Sequence, residues 1–406
     1  MRVAILSQYF EPEPLTRLTG LVQRLVAAGH AVEVLTAVPN WPAGRYYDGY
    51  RPALAREEQR QGAHVVRTYV WPYQGHVTWK RFVNYGSFMF SALWGARRLK
   101  QFDVLYVYHP PLTISLPAYV IARLKKVPFI YDVQDIWPEA GVAAQALKPG
   151  LLYRFMTRWA RWAYGHAARI TVIDPDFVDV VTAQGAAREK ISVVPNWADE
   201  RIYAPRPASD ARQRLGIPAD AFVAMYAGNL GSTHGVNTLL EAAQQLRLDS
   251  RIQFVFAGTG PEYEKMLGLK EQLGLTNVRF LGYVQPENMP DLLAMADILL
   301  VHLRRSASGA VSLPSRMLAY MASARPVLVA SEGAPRRLVE EAQCGVVCEP
   351  ENPNAIAGVL QQLASQPELL QQMGANGRQR YLDEFCEDIV LSRLLDLIEQ
   401  VAGKKS

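Results

Sequence analysis

Cysteine is almost missing from this chain: 406 residues hold three, Cys344, Cys348 and Cys386. A disulfide scaffold is therefore excluded, and the Cys-x3-Cys pair has no nearby His or Cys to complete a zinc site. All three read as reduced core residues of a cytosolic protein. The opening MRVAILSQYF carries an apolar run too short for a secretion signal and reads as a first β-strand, so nothing suggests export. There is no Gly-x-Ser-x-Gly elbow, no cluster of metal ligands, no nucleic-acid recognition motif, no short-period repeat and no low-complexity tract. Asp174-Pro175-Asp176 has the form of an Asp-x-Asp metal motif, but its place between a strand and a helix favours helix capping.

What is present is a globular composition, 50% hydrophobic and 20% charged, in a chain too long for one ordinary core. The net charge of +5 is unevenly spread. Residues 1–200 hold 23 Lys/Arg against 16 Asp/Glu, whereas residues 201–406 hold 20 against 22. All eight tryptophans lie in the first 200 residues. A basic, Trp-rich half joined to a near-neutral half suggests two different tasks.

Strand and helix patterns alternate in two series. RVAILS, HAVEVLTA, AHVVRTYV, DVLYVYH, PFIYDV and RITVID read as strands of the first. FVAMYAG, IQFVFAG, VRFLGYV, DILLVHL and RPVLVAS read as strands of the second. Such alternation predicts α/β architecture: two doubly wound, Rossmann-like domains with parallel sheets. The expected boundaries are 1–200, 201–387 and a terminal helical segment, 388–406, that crosses back to the first domain. Ligands of open α/β sheets sit off the carboxyl ends of the strands, so the expected site is a central cleft between such domains. Three strand-to-helix turns in the second series suit a nucleotide diphosphate. They are YAGNLGSTHG with Gly228, Asn229, Gly231 and His234, FAGTG with Gly258, and SLPSR, residues 312–316. The last is either an ordinary Ser/Pro helix start or an anion site made of free N–H groups, a hydroxyl and Arg316.

The order of segments resembles the GT-B glycosyltransferases of family 4, in the bacterial branch that builds surface polysaccharides such as colanic acid and O-antigen. QYFEPEPLTR, YHPPL, YDVQDIWPE, VVPNWADERIY, YAGNLGSTHGVNTLLEA, FAGTGPE, VRFLGYV and SLPSRMLAYMA carry the resemblance over nearly the whole chain. It implies a UDP-sugar held mostly by the second domain and an acceptor held mostly by the first. By position, Gly231 and His234 would face the donor diphosphate. Ser312, Leu313, Pro314, Ser315 and Arg316 would supply N–H groups and a cation, and Tyr283 and Val284 would frame the base. His109 and Asp135 would lie near the transferred sugar or the acceptor hydroxyl, with Asp132 and Glu139 competing for the latter role. Two carboxylates usual in the family are replaced by Val311 and Ala319, and the usual Arg and Lys of the first turn by Asn229 and His234.

The resemblance further implies a retaining transfer without an evident protein nucleophile or cofactor, helix termini and Arg316 offsetting the leaving diphosphate in place of a metal. The donor sugar would be an N-acetylated hexosamine and the acceptor a polyprenyl-diphosphate-linked saccharide. Residues 80–169 hold 13 basic against 4 acidic residues. Within them Phe82–Ala96 has 15 residues without a charge, flanked by Lys80-Arg81 and Arg97-Arg98. That is short of the roughly 20 a spanning helix needs. Farther on, Arg154, Arg158 and Arg161 fall opposite Leu152, Phe155, Trp159 and Trp162 on a helical pattern. Each segment alone reads equally as a helix packed on the sheet; together they suit the inner surface of the cytoplasmic membrane. A UDP-sugar 2-epimerase and a non-catalytic sugar-nucleotide binder are the alternative readings.

Overall fold

The computed structural model describes residues 1–75, 77–143, 147–148, 150–207, 210–305 and 313–403. The chain forms two compact units, Met1–Asn196 with the segment from Val390 onward, and Trp197–Ile389. The junction thus falls just before Trp197, four residues ahead of the expected one.

In the first unit, eight strands lie in the order β3-β4-β2-β1-β5-β6-β7-β8. They are β1 (Arg2–Leu6), β2 (Ala31–Ala37), β3 (Arg56–Arg60), β4 (Ala63–Thr68), β5 (Val104–His109), β6 (Phe129–Val133), β7 (Arg169–Val172) and β8 (Ile191–Val193). Every pairing is parallel except β3 with β4. The central strands, RVAIL, VLYVYH and FIYDV, are apolar on both faces because helices cover both. The edge strand β3, REEQR, is largely exposed, and its charges discourage pairing with another sheet. The terminal helix Glu387–Gly403 passes into this unit, where Arg24 Nη2 donates to Ser392 Oγ at 2.8 Å and His30 meets Glu399 at 3.0 Å.

The second unit is a wholly parallel sheet, β11-β10-β9-β12-β13-β14. Its strands are β9 (Phe222–Ala227), β10 (Ile252–Ala257), β11 (Val278–Gly282), β12 (Ile298–His302), β13 (Val327–Ala330) and β14 (Gly345–Cys348). The period of two divides β9 between the two apolar layers: Val223, Met225 and Ala227 enter one, Phe222, Ala224 and Tyr226 the other. Strand order reverses between β1 and β5 in one sheet and between β9 and β12 in the other. The carboxyl ends of those four strands are where a ligand crevice opens in each unit.

The three cysteines are buried free thiols, as expected. Burial pushes Cys344 and Cys348 up to about 11. Among the described residues no helix is long and apolar enough to cross a membrane.

Candidate functional site

In the second unit, the ends of β9, β10 and β11 are laced together by backbone bonds. Gly228 N donates to Ala257 O at 2.8 Å, Leu230 N to Thr259 O at 2.9 Å and Gly258 N to Gly282 O at 2.8 Å. Gly258 has φ +135°, and a Cβ on it would stand 2.0 Å from the Gly228 carbonyl oxygen. Only glycine allows the two turns to approach so closely. The helix Ser315–Ala322 is tied to the same edge by Tyr320, whose hydroxyl accepts from Ala227 N and donates to Ala227 O, both at 2.9 Å.

Arg316 leaves the first turn of that helix and reaches across to the β9 turn. Its Nη2 donates to His234 Nδ1 at 2.9 Å, and its guanidinium carbon lies 4.8 Å from the Tyr226 ring centroid. Its Nη1 is buried without a hydrogen-bond partner, beside Gly228, where an added Cβ would approach it to 2.9 Å. No carboxylate pairs with Arg316 among the described residues. Pro314 is the residue before this helix and has no side chain to cap it, so among the described residues its positive end lies next to this cation without a side-chain cap. Pro314 stands at the capping position rather than inside the first turn.

His234 is held neutral. Burial first, then the charges of Arg316 and His302, lower it to about 4. Arg316 Nη2 lies 2.9 Å from its Nδ1 and 3.3 Å from its Nε2, so the neutral ring accepts from the guanidinium. His302, at the end of β12, is fixed in turn. Its Nδ1 donates to His234 O at 2.9 Å and its Nε2 accepts from Glu351 N at 3.1 Å. Gly235 makes room for this contact: φ is +52°, and a Cβ there would lie 2.6 Å from His302 Cε1. The array therefore offers one guanidinium, one neutral imidazole and, among the described residues, a helix terminus without a side-chain cap, all on the carboxyl side of one sheet. That set is suited to an oxyanion or a diphosphate.

The remaining residues of the expected donor site are less uniform. Asn229 and Gly231 stand in the same turn, with Asn229 O accepting from the Tyr226 hydroxyl at 2.7 Å. Leu313 and Val284 pack against the apolar layer, Ser315 is exposed, and Tyr283 stands 67% exposed. Ser312 and Val311 lie outside the described residues. Ala319, where the resemblance leads one to expect a glutamate, is 8% exposed within the apolar layer.

In the first unit, His109 ends β5 and is 1% exposed, its Nδ1 without a partner. Burial lowers it to about 3, so it is a neutral imidazole. The three competing carboxylates separate clearly. Asp132 is fully buried and paired with Arg17 (3.1 Å), while Tyr106, Gln134 and Thr171 also donate to it. Glu139 accepts from Gln184 and Tyr153. Asp135 is exposed, with no protein partner among the described residues, though the protein around it raises its carboxyl above the usual range. Asp132 and Glu139 are thus structural, and Asp135 alone is free for a ligand. Glu13, which no motif marks, is buried and accepts the N–H groups of Phe10, Asn40 and Trp41. Burial raises it to about 7 against the pull of those bonds.

The two basic helices divide their aromatic and cationic residues between the surface and the fold. In Leu151–His166 the buried stripe is Met156, Ala160, Ala163 and Tyr164, because small residues let the helix approach the sheet. Leu151, Leu152 and Phe155 are exposed along with Arg154 and Arg158. Trp159, Trp162 and Arg161 serve the fold: Trp159 Nε1 donates to Ser115 Oγ, Trp162 packs edge-on against Tyr119, and Arg161 Nε donates to Gln184 O. On the helix Thr78–Gly95, Trp79, Phe82, Val83, Phe90 and Trp94 are exposed. Of the cations beside it, Arg97 lies over Trp94 and Arg98 pairs with Glu57. Arg81 bonds the Tyr85 hydroxyl.

Asp174 caps the helix Pro175–Ala183, its Oδ1 accepting from Asp176 N at 2.8 Å, as its position suggested. Among the described residues no group of three or more His, Cys, Asp or Glu comes together to hold a metal.

Comparison with known proteins covers both units. Residues 14–197 match the family model described as glycosyl transferase 4-like domain, and residues 208–380 match that of glycosyl transferases group 1. A putative colanic acid biosynthesis glycosyl transferase of Escherichia coli K12 is 28% identical over 383 residues, 89% of this chain and 92% of its own. Sucrose-phosphate synthase of Thermosynechococcus elongatus superposes with a TM-score of 0.76 at 17% identity, over 99% of each chain. HepE of Anabaena, solved with UDP and glucose, superposes with a TM-score of 0.72 at 17% identity, over 98% of this chain and 99% of its own.

Proposed function

Because the chain belongs to the GT-B glycosyltransferases, matching their group 1 and 4-like models in its two halves, we propose that it moves an N-acetylated hexosamine from a UDP-sugar to a lipid-linked saccharide in surface-polysaccharide synthesis. The observation that carries this reading is Arg316. A partly buried guanidinium with a buried, unpartnered nitrogen is costly unless an anion completes it. The helix end without a side-chain cap and the neutral His234 ring stand beside it. A nucleoside diphosphate fits that set, and UDP is the nucleotide bound by the similarly folded HepE.

In this mechanism Arg316, His234 and the terminus of the helix Ser315–Ala322 stabilise negative charge as it develops on the departing diphosphate, the task a metal performs elsewhere. They are fixed before the sugar leaves, so little reorganisation is needed. The acceptor hydroxyl attacks on the face the diphosphate vacates, with retention, and a diphosphate oxygen takes its proton. His109 donates a neutral N–H to the sugar, and Asp135 orients the acceptor hydroxyl. In this reading the cationic, aromatic surface of the first unit rests on the inner face of the cytoplasmic membrane, where such an acceptor resides.

Melting of the protein with UDP, GDP, ADP or CMP in EDTA tests the donor class. A ligand at a hundred times its Kd stabilises by about 2.7 kcal/mol. For units of this size that is a rise of roughly 5–10 °C in Tm. UDP alone is expected to produce it, with no further gain on adding Mg²⁺. A rise with GDP alone would reassign the donor, and no rise with any nucleotide would remove the reading.

A further inference from the structure

On the first unit an apolar groove runs between the helices Thr78–Gly95 and Leu151–His166. At one end it is lined by Arg81, Tyr85, Pro110, Pro111 and Trp137. Its floor continues through Leu112 and Met156, 6% and 8% exposed, to Phe155 and Trp159. From there it passes to Leu116, Arg158 and Trp162. Phe82 and Phe155 form its rims, 42% and 56% exposed.

We propose that this groove holds the hydrocarbon chain of a prenyl-phosphate-linked acceptor, with the phosphate end at Arg81. The inference rests on the lipid-linked acceptor of the reading above and adds where its chain lies. The lining selects the occupant. Almost no polar group faces the groove, so a peptide laid in it would leave its own N–H and C=O groups unpaired. A flat bilayer reaches the exposed rims but not the recessed floor of Leu112 and Met156. A single flexible hydrocarbon chain satisfies both limits.

Charge gives the direction. Lys80, Arg81, Arg154 and Arg158 have no carboxylate partner among the described residues, whereas Arg98 nearby is paired with Glu57. Arg81 itself lines the groove, its Nη2 donating to the Tyr85 hydroxyl at 3.1 Å. That end also meets Pro110 and Pro111, which directly follow His109 at the carboxyl end of β5. A phosphate at Arg81 therefore brings the attached saccharide to the crevice side of the sheet. The chain leads away along the helices.

The test uses the whole protein and a photoactivatable benzophenone-bearing prenyl monophosphate, without donor sugar. Crosslinks are expected at Phe82, Leu112 and Met156. Labelling should fall at least ten-fold in Thr113→Trp, which fills the floor, and in Phe155→Glu, an exposed change that spares the core. In transfer assays, the ratio of kcat/KM for a long-prenyl acceptor to that for a short-chain one should fall by the same factor in both variants. The unliganded Tm, unchanged from the parent, reports that both variants are folded, as does the unchanged near-UV circular dichroism of the first unit's tryptophans in Phe155→Glu. Labelling spread over other surfaces would overturn the proposal. So would displacement of the label by anionic phospholipid vesicles lacking prenyl chains, or an unchanged acceptor ratio. Groove labelling without transfer to any lipid acceptor would uphold the groove and remove the acceptor assignment instead.

Discussion

Arg316→Ala weakens UDP binding by about 10- to 100-fold. A hydrogen bond to a charged group contributes about 1.5–3 kcal/mol, and each 1.4 kcal/mol is a factor of ten in Kd. The unliganded protein should melt at nearly its original temperature, because the guanidinium is partly buried with Nη1 unpartnered and contributes little net stability by itself. Arg316→Lys should fall between the two. It keeps the charge but loses both the flat contact with Tyr226 and the geometry of the bond to His234. Titration calorimetry of the three proteins with UDP checks the series. Equal affinity in all three would place the diphosphate elsewhere.

Asp132→Ala has the opposite signature, a large loss of stability. It leaves the buried Arg17 without its carboxylate and removes the acceptor shared by Tyr106, Gln134 and Thr171. Breaking a buried ion pair from one side costs about 3–5 kcal/mol. At roughly 2–4 °C per kcal/mol, the first unit should lose on the order of 10 °C in Tm. The double variant Arg17→Met with Asp132→Leu should recover part of that loss, since no uncompensated charge then remains. Scanning calorimetry of the single and double variants reads both effects. A Tm within 2–3 °C of the parent for Asp132→Ala, well under the ~10 °C expected, would mean that the carbonyls of Val194 and Pro195 suffice to hold Arg17.

The parallel strands were legible because burial on both faces leaves continuous apolar runs, as in VLYVYH and FVAMYA. The strands that escaped notice lack that signal. REEQR is a charged antiparallel edge, and ISV and GVVC span only three and four residues. Leu151–His166 carries two apolar stripes of the same period: the small-residue stripe is buried, and of the bulkier one Trp159 and Trp162 pack against the core while Leu152 and Phe155 stay exposed, a division that period alone does not reveal.

The glycine turns and Arg316 could be picked out locally, since glycine after a strand and Pro-Ser-Arg before a helix are short-range features. Tyr320, four residues after Arg316, was within reach of the same helical spacing. Tyr226 and His302 were not. Their roles depend on contacts with Arg316 and His234 across 90 and 68 residues of chain. The separation of Asp135 from Asp132 is likewise a matter of burial that spacing alone does not reveal.

Transfer itself tests the central claim most directly. The purified protein would be incubated in EDTA with isotope-labelled UDP-N-acetylhexosamine and a polyprenyl-diphosphate-linked saccharide, and the product linkage read by NMR. The account predicts labelled lipid product whose new glycosidic bond keeps the donor's anomeric configuration, at a rate that collapses in Arg316→Ala. An inverted linkage, or transfer undiminished in Arg316→Ala, would contradict it.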